Sequence, residues 1–283
     1  IAGREVVKID AANIQNLGAR ISGGQVQLKA KEDINNIGGT IDAATQLSLE
    51  AGRDVLVHTT TVQGASTGGS GARLSTQSID RIAGLYVTGQ AGEFSVKAGQ
   101  DVTLVGAQVQ SAGSVSIDAG RDIHLGTVAT GQELDVRWSE NNTRQDSTRQ
   151  STGSTISAQG NATLSAGRDI DAEAAKLQAG ETLALDAQGD ITLQAAIDSQ
   201  SASTYSKSGG GMNYFSLQAS TREQNLIRTE LSAKDVVIKS GGDTTLSAIT
   251  VNADTLDIEA GGKLALLAPK TQDSEGWNVT HGS

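Results

Sequence analysis

Aspartates are the residues whose type and spacing most suggest chemistry in this sequence. Six of them occupy the same turn position in copies of one short pattern, and four of these directly follow a Gly-polar pair. Stacked along one edge of a repeating fold, such carboxylates could bind cations, or each could bond neighbouring backbone amides and close a turn. We favour turns, because calcium-binding nonapeptide spacing is absent and Arg53, Arg121 and Arg168 can neutralise the charge. The aspartates are Asp54, Asp101, Asp122, Asp169, Asp190 and Asp243.

Other side chains offer little for catalysis. His58, His124 and His281 are far apart, and none lies within metal-ligand spacing of another. No Gly-x-Ser-x-Gly elbow lies between a strand and a helix. A polysaccharide-cleaving β-helix needs carboxylates, basic residues and aromatics clustered on one strand face, and no such cluster is evident. We therefore predict no enzyme activity, catalytic residue, cofactor or metal, and keep a polysaccharide-cleaving enzyme as an alternative.

Composition narrows the class of protein. The formal net charge is −10 and is spread along all 283 residues, which argues against a nucleic-acid partner because binding phosphates requires a concentrated cationic patch. Aromatic residues make up only 2% of the chain, which contains 34 glycines. This mixture favours many short strands joined by tight turns. The absence of cysteine fits a reducing compartment or a chain that is exported unfolded.

One pattern recurs nine times along the chain. It consists of alternating apolar positions, a small residue, Gly, a polar residue and Asp, followed by further alternation, as in Val115-Ser-Ile-Asp-Ala-Gly-Arg-Asp-Ile-His-Leu125. Copies lie about 20 residues apart, or 47 to 53 where an insertion intervenes, and the insertion-bearing copies at Leu47, Val115 and Leu183 are 68 residues apart. The copies begin at Val6, Val26, Leu47, Phe94, Val115, Ala162, Leu183, Val236 and Leu256.

This repeat predicts an all-β fold, a right-handed parallel β-helix with coils of about 20 residues and at least three short strands each. Alternation gives each strand one apolar side, which a single coil cannot bury alone. Stacking equivalent strands in parallel solves this, and the crossover rule sets the right hand. Glycine at the corner is expected to supply a positive φ. Residues 1–283 are predicted to form a single β-helix segment, a fragment of a much longer chain.

Insertions at about 59–85, 126–155 and 197–230, with a truncated one from about 270, are predicted to be protruding β-hairpins. They contain most of the aromatic residues, and exposed aromatics on protruding strands are plausible contact anchors. Alternatively, successive hairpins form a side sheet against the rod or each other and bury these rings, which is the arrangement we favour. The possible surface-contact residues are Trp138, Tyr205, Tyr214, Phe215 and Arg137.

Residues 33–55, Asp-Ile-Asn-Asn-Ile-Gly-Gly-Thr-Ile-Asp-Ala-Ala-Thr-Gln-Leu-Ser-Leu-Glu-Ala-Gly-Arg-Asp-Val, followed by Thr59-Thr-Thr61, resemble the repeat of filamentous haemagglutinins. The mixture of bare and hairpin-bearing coils resembles the second repeat region of contact-dependent growth inhibition exoproteins. The resemblance covers essentially the whole chain. It implies export by two-partner secretion through an outer-membrane transporter, and a location that is secreted or at the bacterial cell surface, with a possible periplasmic stage before target contact.

The same resemblance implies a function. The chain would be a filament segment that presents or delivers a distal toxin or adhesive module, with the target cell's outer membrane or a surface receptor as partner. A receptor-binding adhesin that uses Arg137, Arg144, Arg149 and the hairpin aromatics is the alternative from a different functional class.

Overall fold

The computed structural model describes residues 1–210 and 213–282. Nine coils stack along one axis, and their strands form three parallel stacks; the hairpins form a separate antiparallel sheet. A coil contributes one strand to each stack, so each strand pairs with the equivalent strands before and after it. The predicted parallel β-helix is therefore confirmed. The strands are numbered β1 to β31 in chain order.

Three stacks of strands build the rod. The first contains β1 (Val6–Ala11), β3 (Arg20–Ala30), β5 (Thr40–Ala51), β10 (Glu93–Ala98), β13 (Ser114–Ala119), β18 (Ala162–Ala166), β21 (Thr182–Ala187), β26 (Asp235–Ser240) and β29 (Thr255–Ala260). The second contains β2 (Ile14–Leu17), β4 (Ile34–Ile37), β6 (Val55–His58), β11 (Val102–Val105), β14 (Ile123–Gly126), β19 (Ile170–Glu173), β22 (Ile191–Gln194), β27 (Thr244–Ser247) and β30 (Leu264–Leu267). The third contains the first halves of β3 and β5, then β9 (Gly84–Val87), β12 (Gln108–Ser111), β17 (Thr155–Ala158), β20 (Lys176–Ala179), β25 (Thr229–Ser232) and β28 (Ile249–Asn252).

The apolar repeat positions form columns inside the rod. Ile117, Leu164 and Leu185 are direct partners in three successive coils, and each is at most 1% exposed. Every coil therefore covers the apolar side of its neighbours, as the alternation predicts. The first copy of the repeat is one residue out of the predicted register, because Val7 and not Val6 pairs with Val26. Val7 is buried and Val6 is 52% exposed.

The glycine of the Gly-polar-Asp corner has a different role from the one predicted. Gly52, Gly99, Gly120 and Gly167 do not have a positive φ. Instead, each lies against the backbone of the preceding coil: a Cβ added at Gly120 would lie inside 3.0 Å of the Gly99 carbonyl oxygen. Glycine is required there because consecutive backbones approach too closely for any side chain, so the expectation of a left-handed corner was wrong.

Positive φ occurs at another corner, between the second and third strands of the bare coils. All five coils without a hairpin have one such residue there: Gly18, Gly38, Gly106, Ala174 and Ala248, with φ between 48° and 63°. In the other coils, a hairpin is inserted at this corner. This corner was not predicted from the sequence, where its signal is a Gly or Ala directly after the second strand.

Candidate functional site

Seven hairpin strands lie outside the rod. They are β7 (Thr60–Thr67), β8 (Arg73–Arg81), β15 (Val128–Ser139), β16 (Asn142–Thr152), β23 (Ala196–Gly210), β24 (Asn213–Ile227) and β31 (Ser274–Gly282), with a short 3₁₀ turn, Gly69–Gly71, between the first two. The first hairpin ends at Arg81, earlier than the predicted 85, because β9 belongs to the rod. Gly211 and Met212, within the third predicted insertion, lie outside the described residues.

Successive hairpins pair edge to edge and form one antiparallel sheet, the side sheet, in the order β31-β24-β23-β16-β15-β8-β7. The third, fifth and seventh coils each carry a hairpin of two strands, and β31 follows the ninth coil, so the side sheet gains on average one strand for each coil of the rod. Strands are about 4.8 Å apart in any sheet. The rod and the side sheet therefore share one repeat distance, which is why hairpins of alternate coils can pair.

Buried hydroxyl groups fix each hairpin to the rod. Thr59, Ser154 and Thr229 flank the three complete hairpins and are fully buried. Thr229 Oγ1 donates to the Gln194 carbonyl at 2.6 Å and accepts from the Ala175 amide at 3.2 Å. A buried backbone N–H or C=O group without a hydrogen bond lowers the stability of the fold. These hydroxyls supply hydrogen-bond partners for such groups at the corner where the hairpin interrupts the coil.

The side sheet does not bury most of the aromatic rings, contrary to the arrangement that we favoured. Trp138 is 57% exposed, Phe215 is 40% exposed and Trp277 is 78% exposed, whereas Tyr205 and Tyr214 are half-buried. Phe215 makes an edge contact with His281, with ring centroids 5.1 Å apart, and the Lys207 ammonium lies 4.4 Å from the Tyr214 ring centroid. The sheet thus forms as expected, but several of its rings stay accessible.

The register gives the side sheet two unlike faces. Directly paired residues lie on the same face of a sheet, so the pairings Gly131↔Arg149, Arg149↔Ser199 and Ser199↔Gln224 fix one face across four strands. We call this the basic face; its charged residues are Arg73, Arg137, Arg149, Lys207 and Arg222, with Glu133 and Asp135. The opposite face, the apolar face, contains Val62, Leu74, Leu134, Val136, Phe215, Leu217, Trp277 and Val279.

The predicted contact residues separate between these faces. Arg137, Tyr205 and Tyr214 lie on the basic face and Phe215 lies on the apolar face, while Trp138 lies at the bulge that ends β15. Arg144, grouped with Arg137 in the sequence analysis, is on the opposite face and donates to Asp146 at 2.8 Å. Residues along one strand alternate between the two faces, but Arg137 and Arg144 lie on different strands. The pairing of these strands therefore decides whether the two arginines share a face.

A groove of about 740 Å³ opens on the basic face. Arg137, Thr143, Tyr205 and Gln218 are successive cross-strand partners in one row that lines it. Asp135, Gln145 and Ser203 form the next row, with Arg73 opposite Asp135. Among the described residues, neither Arg73 nor Arg137 is in an ion pair. The groove therefore combines two guanidinium groups and the carboxylate of Asp135 with an aromatic ring, amides and hydroxyls.

The aspartate column on the rod is occupied by internal contacts. Each aspartate accepts a bond from the backbone amide of the next coil: the Asp101 amide donates to Asp54 at 3.0 Å and the Asp122 amide donates to Asp101 at 3.2 Å. Arg121 also donates from Nε to Asp101 at 2.7 Å. Within residues 1–210 and 213–282, no group of three carboxylates, histidines or cysteines is arranged to hold a metal ion. The aspartates bond backbone amides as predicted, but these amides belong to the next coil, so the column joins successive coils.

This column makes rod stability depend on pH. The hydrogen bond from Arg121 holds the pKa of Asp101 below its ordinary value, and Arg53 does the same for Asp33. A depressed folded-state pKa stabilises the fold above the unfolded-state value of about 3.9, and this contribution is lost as the pH falls through the lower folded value. We expect the urea midpoint to fall between pH 5 and pH 2, and to fall less in Arg121→Gln.

Arg149→Gln is the matched control for this prediction, because Arg149 lies on the side sheet and has no ion pair among the described residues. It should retain the full acid sensitivity. An equal change in both variants, measured by urea denaturation with far-UV circular dichroism, would mean that the Asp101 contact does not set the pH response.

Asp171 is a further titratable group on the rod, where it pairs with His124 across the second stack. Burial raises the pKa of Asp171.

Comparison with known proteins decides the family. The model of the hemagglutinin repeat matches residues 5–133 and 134–279. The chain belongs to the hemagglutinin repeat family. The family predicted from residues 33–61 is therefore confirmed, and its repeat corresponds to the stacked coils and hairpins described above.

Several curated relatives are similar to this member of the family. It is 25% identical over 252 residues to "tRNA nuclease CdiA-2" of Burkholderia pseudomallei, which covers 89% of this chain and 8% of the relative. It is 27% identical over 206 residues to "tRNA nuclease CdiA" of Escherichia coli, a match that covers 66% of this chain and 6% of the relative. It is 26% identical over 201 residues to "Hemolysin" of Serratia marcescens, a match that covers 64% of this chain and 12% of the relative. The chain thus spans a small part of each relative.

These relatives are secreted or cell-surface exoproteins, which confirms the predicted localisation. No solved structure matches the chain. In the described part of this hemagglutinin repeat protein, there is no helix with the length and apolarity needed to cross a bilayer.

Proposed function

We propose that the chain is a rigid filament segment of a two-partner-secretion exoprotein that presents or delivers a distal toxin or adhesive module to a target cell. The observation that carries this proposal is the continuous column of buried side chains through the first eight coils, which holds the two ends of the segment apart. The CdiA and hemolysin relatives support delivery, because this segment corresponds to a small part of much longer proteins.

Export through an outer-membrane transporter fits the same architecture. Each coil needs only its neighbour to bury its apolar side, so folding can proceed coil by coil as the chain emerges. The absence of cysteine is consistent with passage in an unfolded state. The transporter is accordingly the first proposed partner.

The apolar face of the side sheet is the proposed contact with the target cell's outer membrane. Trp277, Phe215 and Val279 are exposed on it and Leu217 is half-buried, although monomeric proteins rarely expose a continuous apolar patch. Burying such side chains stabilises an association by about 1.5–3 kcal/mol each. A sheet that projects beside the rod can present these side chains without disturbing the core.

The test uses the full secreted protein with Phe215→Ser and Trp277→Ser combined, displayed on producing cells. Killing of contacted target cells should fall by about tenfold or more, with display unchanged by antibody staining. Asn278→Ser is the matched control, because it changes the neighbouring residue on the opposite face of the same strand. Delivery that survives the double substitution, or is lost equally in the control, would contradict membrane contact through the apolar face.

A receptor-binding adhesin is the second candidate function. The groove lined by Arg137 and Tyr205 favours it, because the groove lies on the other face of the side sheet and offers polar groups in place of apolar ones. Loss of adhesion after substitution in the groove, with toxin delivery intact once cells are in contact, would support this role.

A further inference from the structure

We infer that the groove on the basic face binds a saccharide that carries carboxylate groups. The chain as a whole is acidic, with a net charge of −10. The basic face has five basic and two acidic side chains, whereas the apolar face has one basic residue, Arg144, and the acidic residues Asp146, Asp198, Glu223 and Glu275. An anionic ligand is therefore favoured on the basic face over the apolar face of the side sheet.

The positive charge on this face is available to a ligand. Arg73, Arg137, Arg149 and Arg222 are exposed. On the rod, by contrast, Arg121 donates a hydrogen bond to Asp101, and this carboxylate occupies its guanidinium group. Arg73 and Arg137 have no such partner among the described residues, so their guanidinium groups are free to form paired hydrogen bonds with a carboxylate.

Other groups in the groove favour a sugar over a simple anion. Gln145 and Gln218 can donate and accept hydrogen bonds, as can the hydroxyls of Thr143 and Ser203, which matches the mixed donors and acceptors of sugar hydroxyl groups. Tyr205 adds an amphipathic ring in the same row. The volume of about 740 Å³ suits a ligand of two or three sugar rings and is within the usual size of a binding pocket.

The groove is lined by residues of all three complete hairpins. Arg73 comes from the first hairpin, Arg137 and Thr143 from the second, and Tyr205 and Gln218 from the third. Binding here does not require the delivery role, so failure of one proposal leaves the other open to its own test.

Calorimetric titration of the 283-residue chain tests this inference, with trigalacturonate against maltotriose and 3′-sialyllactose against lactose. At least one acidic probe should bind about tenfold or more tightly than its neutral counterpart, with affinity falling as salt increases. Arg73→Gln combined with Arg137→Gln should weaken that binding by about tenfold or more, and Tyr205→Ala should also weaken it.

Arg144→Gln is the matched control, since it removes one guanidinium from the opposite face and should change the affinity less than about twofold. Unchanged circular dichroism and thermal midpoints establish that the variants are folded. Equal binding of acidic and neutral sugars, equal weakening by Arg144→Gln, or displacement of the sugar by inorganic phosphate at similar concentration would overturn the assignment.

Discussion

Leu164→Ala is expected to destabilise the rod by about 2–5 kcal/mol, the usual cost of removing a buried leucine side chain and leaving a cavity. Leu164 is fully buried in the sixth coil, between Ile117 and Leu185 of the adjacent coils. Each coil relies on its neighbours for burial, so a cavity weakens two inter-coil interfaces at once. Urea denaturation followed by far-UV circular dichroism, with hydrogen exchange to locate the weakened coils, measures the effect.

Leu17→Ala is the control for this prediction. The same side chain is removed, but Leu17 lies at an outward position of β2, where it is 62% exposed, and should contribute less than about 0.5 kcal/mol. Exchange protection should fall on both sides of Leu164 and stay unchanged far from it. Equal loss of stability in the two variants would contradict a core made of one continuous column.

Gly120→Ala is expected to destabilise the chain by about 1–3 kcal/mol, although alanine is normally a better residue than glycine in ordered structure. The added Cβ would clash with the Gly99 carbonyl oxygen, a backbone atom that can move only if two coils separate. The clash would push the two stacked coils apart. Thermal and urea unfolding measure the resulting loss in the free energy of unfolding.

Gly69→Ala provides the comparison, because nothing lies within 4 Å of an added Cβ in that hairpin turn and its φ is not in the left-handed region. It should be neutral or stabilising by about 0.4–1 kcal/mol, since alanine reduces the entropy of the unfolded chain. If Gly120→Ala behaves in the same way, the coils are not held at the close backbone distance described.

The rod can be predicted from the sequence because its determinants are local and repeated. Alternation over five or six residues identifies a strand, and recurrence about every 20 residues identifies its partner in the next coil, as with Val115 and Phe94. The errors of the prediction came from details that the repeat pattern does not encode. Gly120 has no positive φ, and glycine is required there because another coil approaches closely. No local signal in the sequence tells a glycine needed for close approach from one needed for positive φ.

Arg73, Arg137 and Tyr205 show the limit of the sequence. They belong to three hairpins, and nothing in their spacing indicates that they line one groove. The repeat by itself determined the stacked coils, the hairpin positions and the family. The tertiary structure alone decided how hairpins pair and which side chains share a face, because a shift of one residue in that pairing would move every side chain to the opposite side of the sheet.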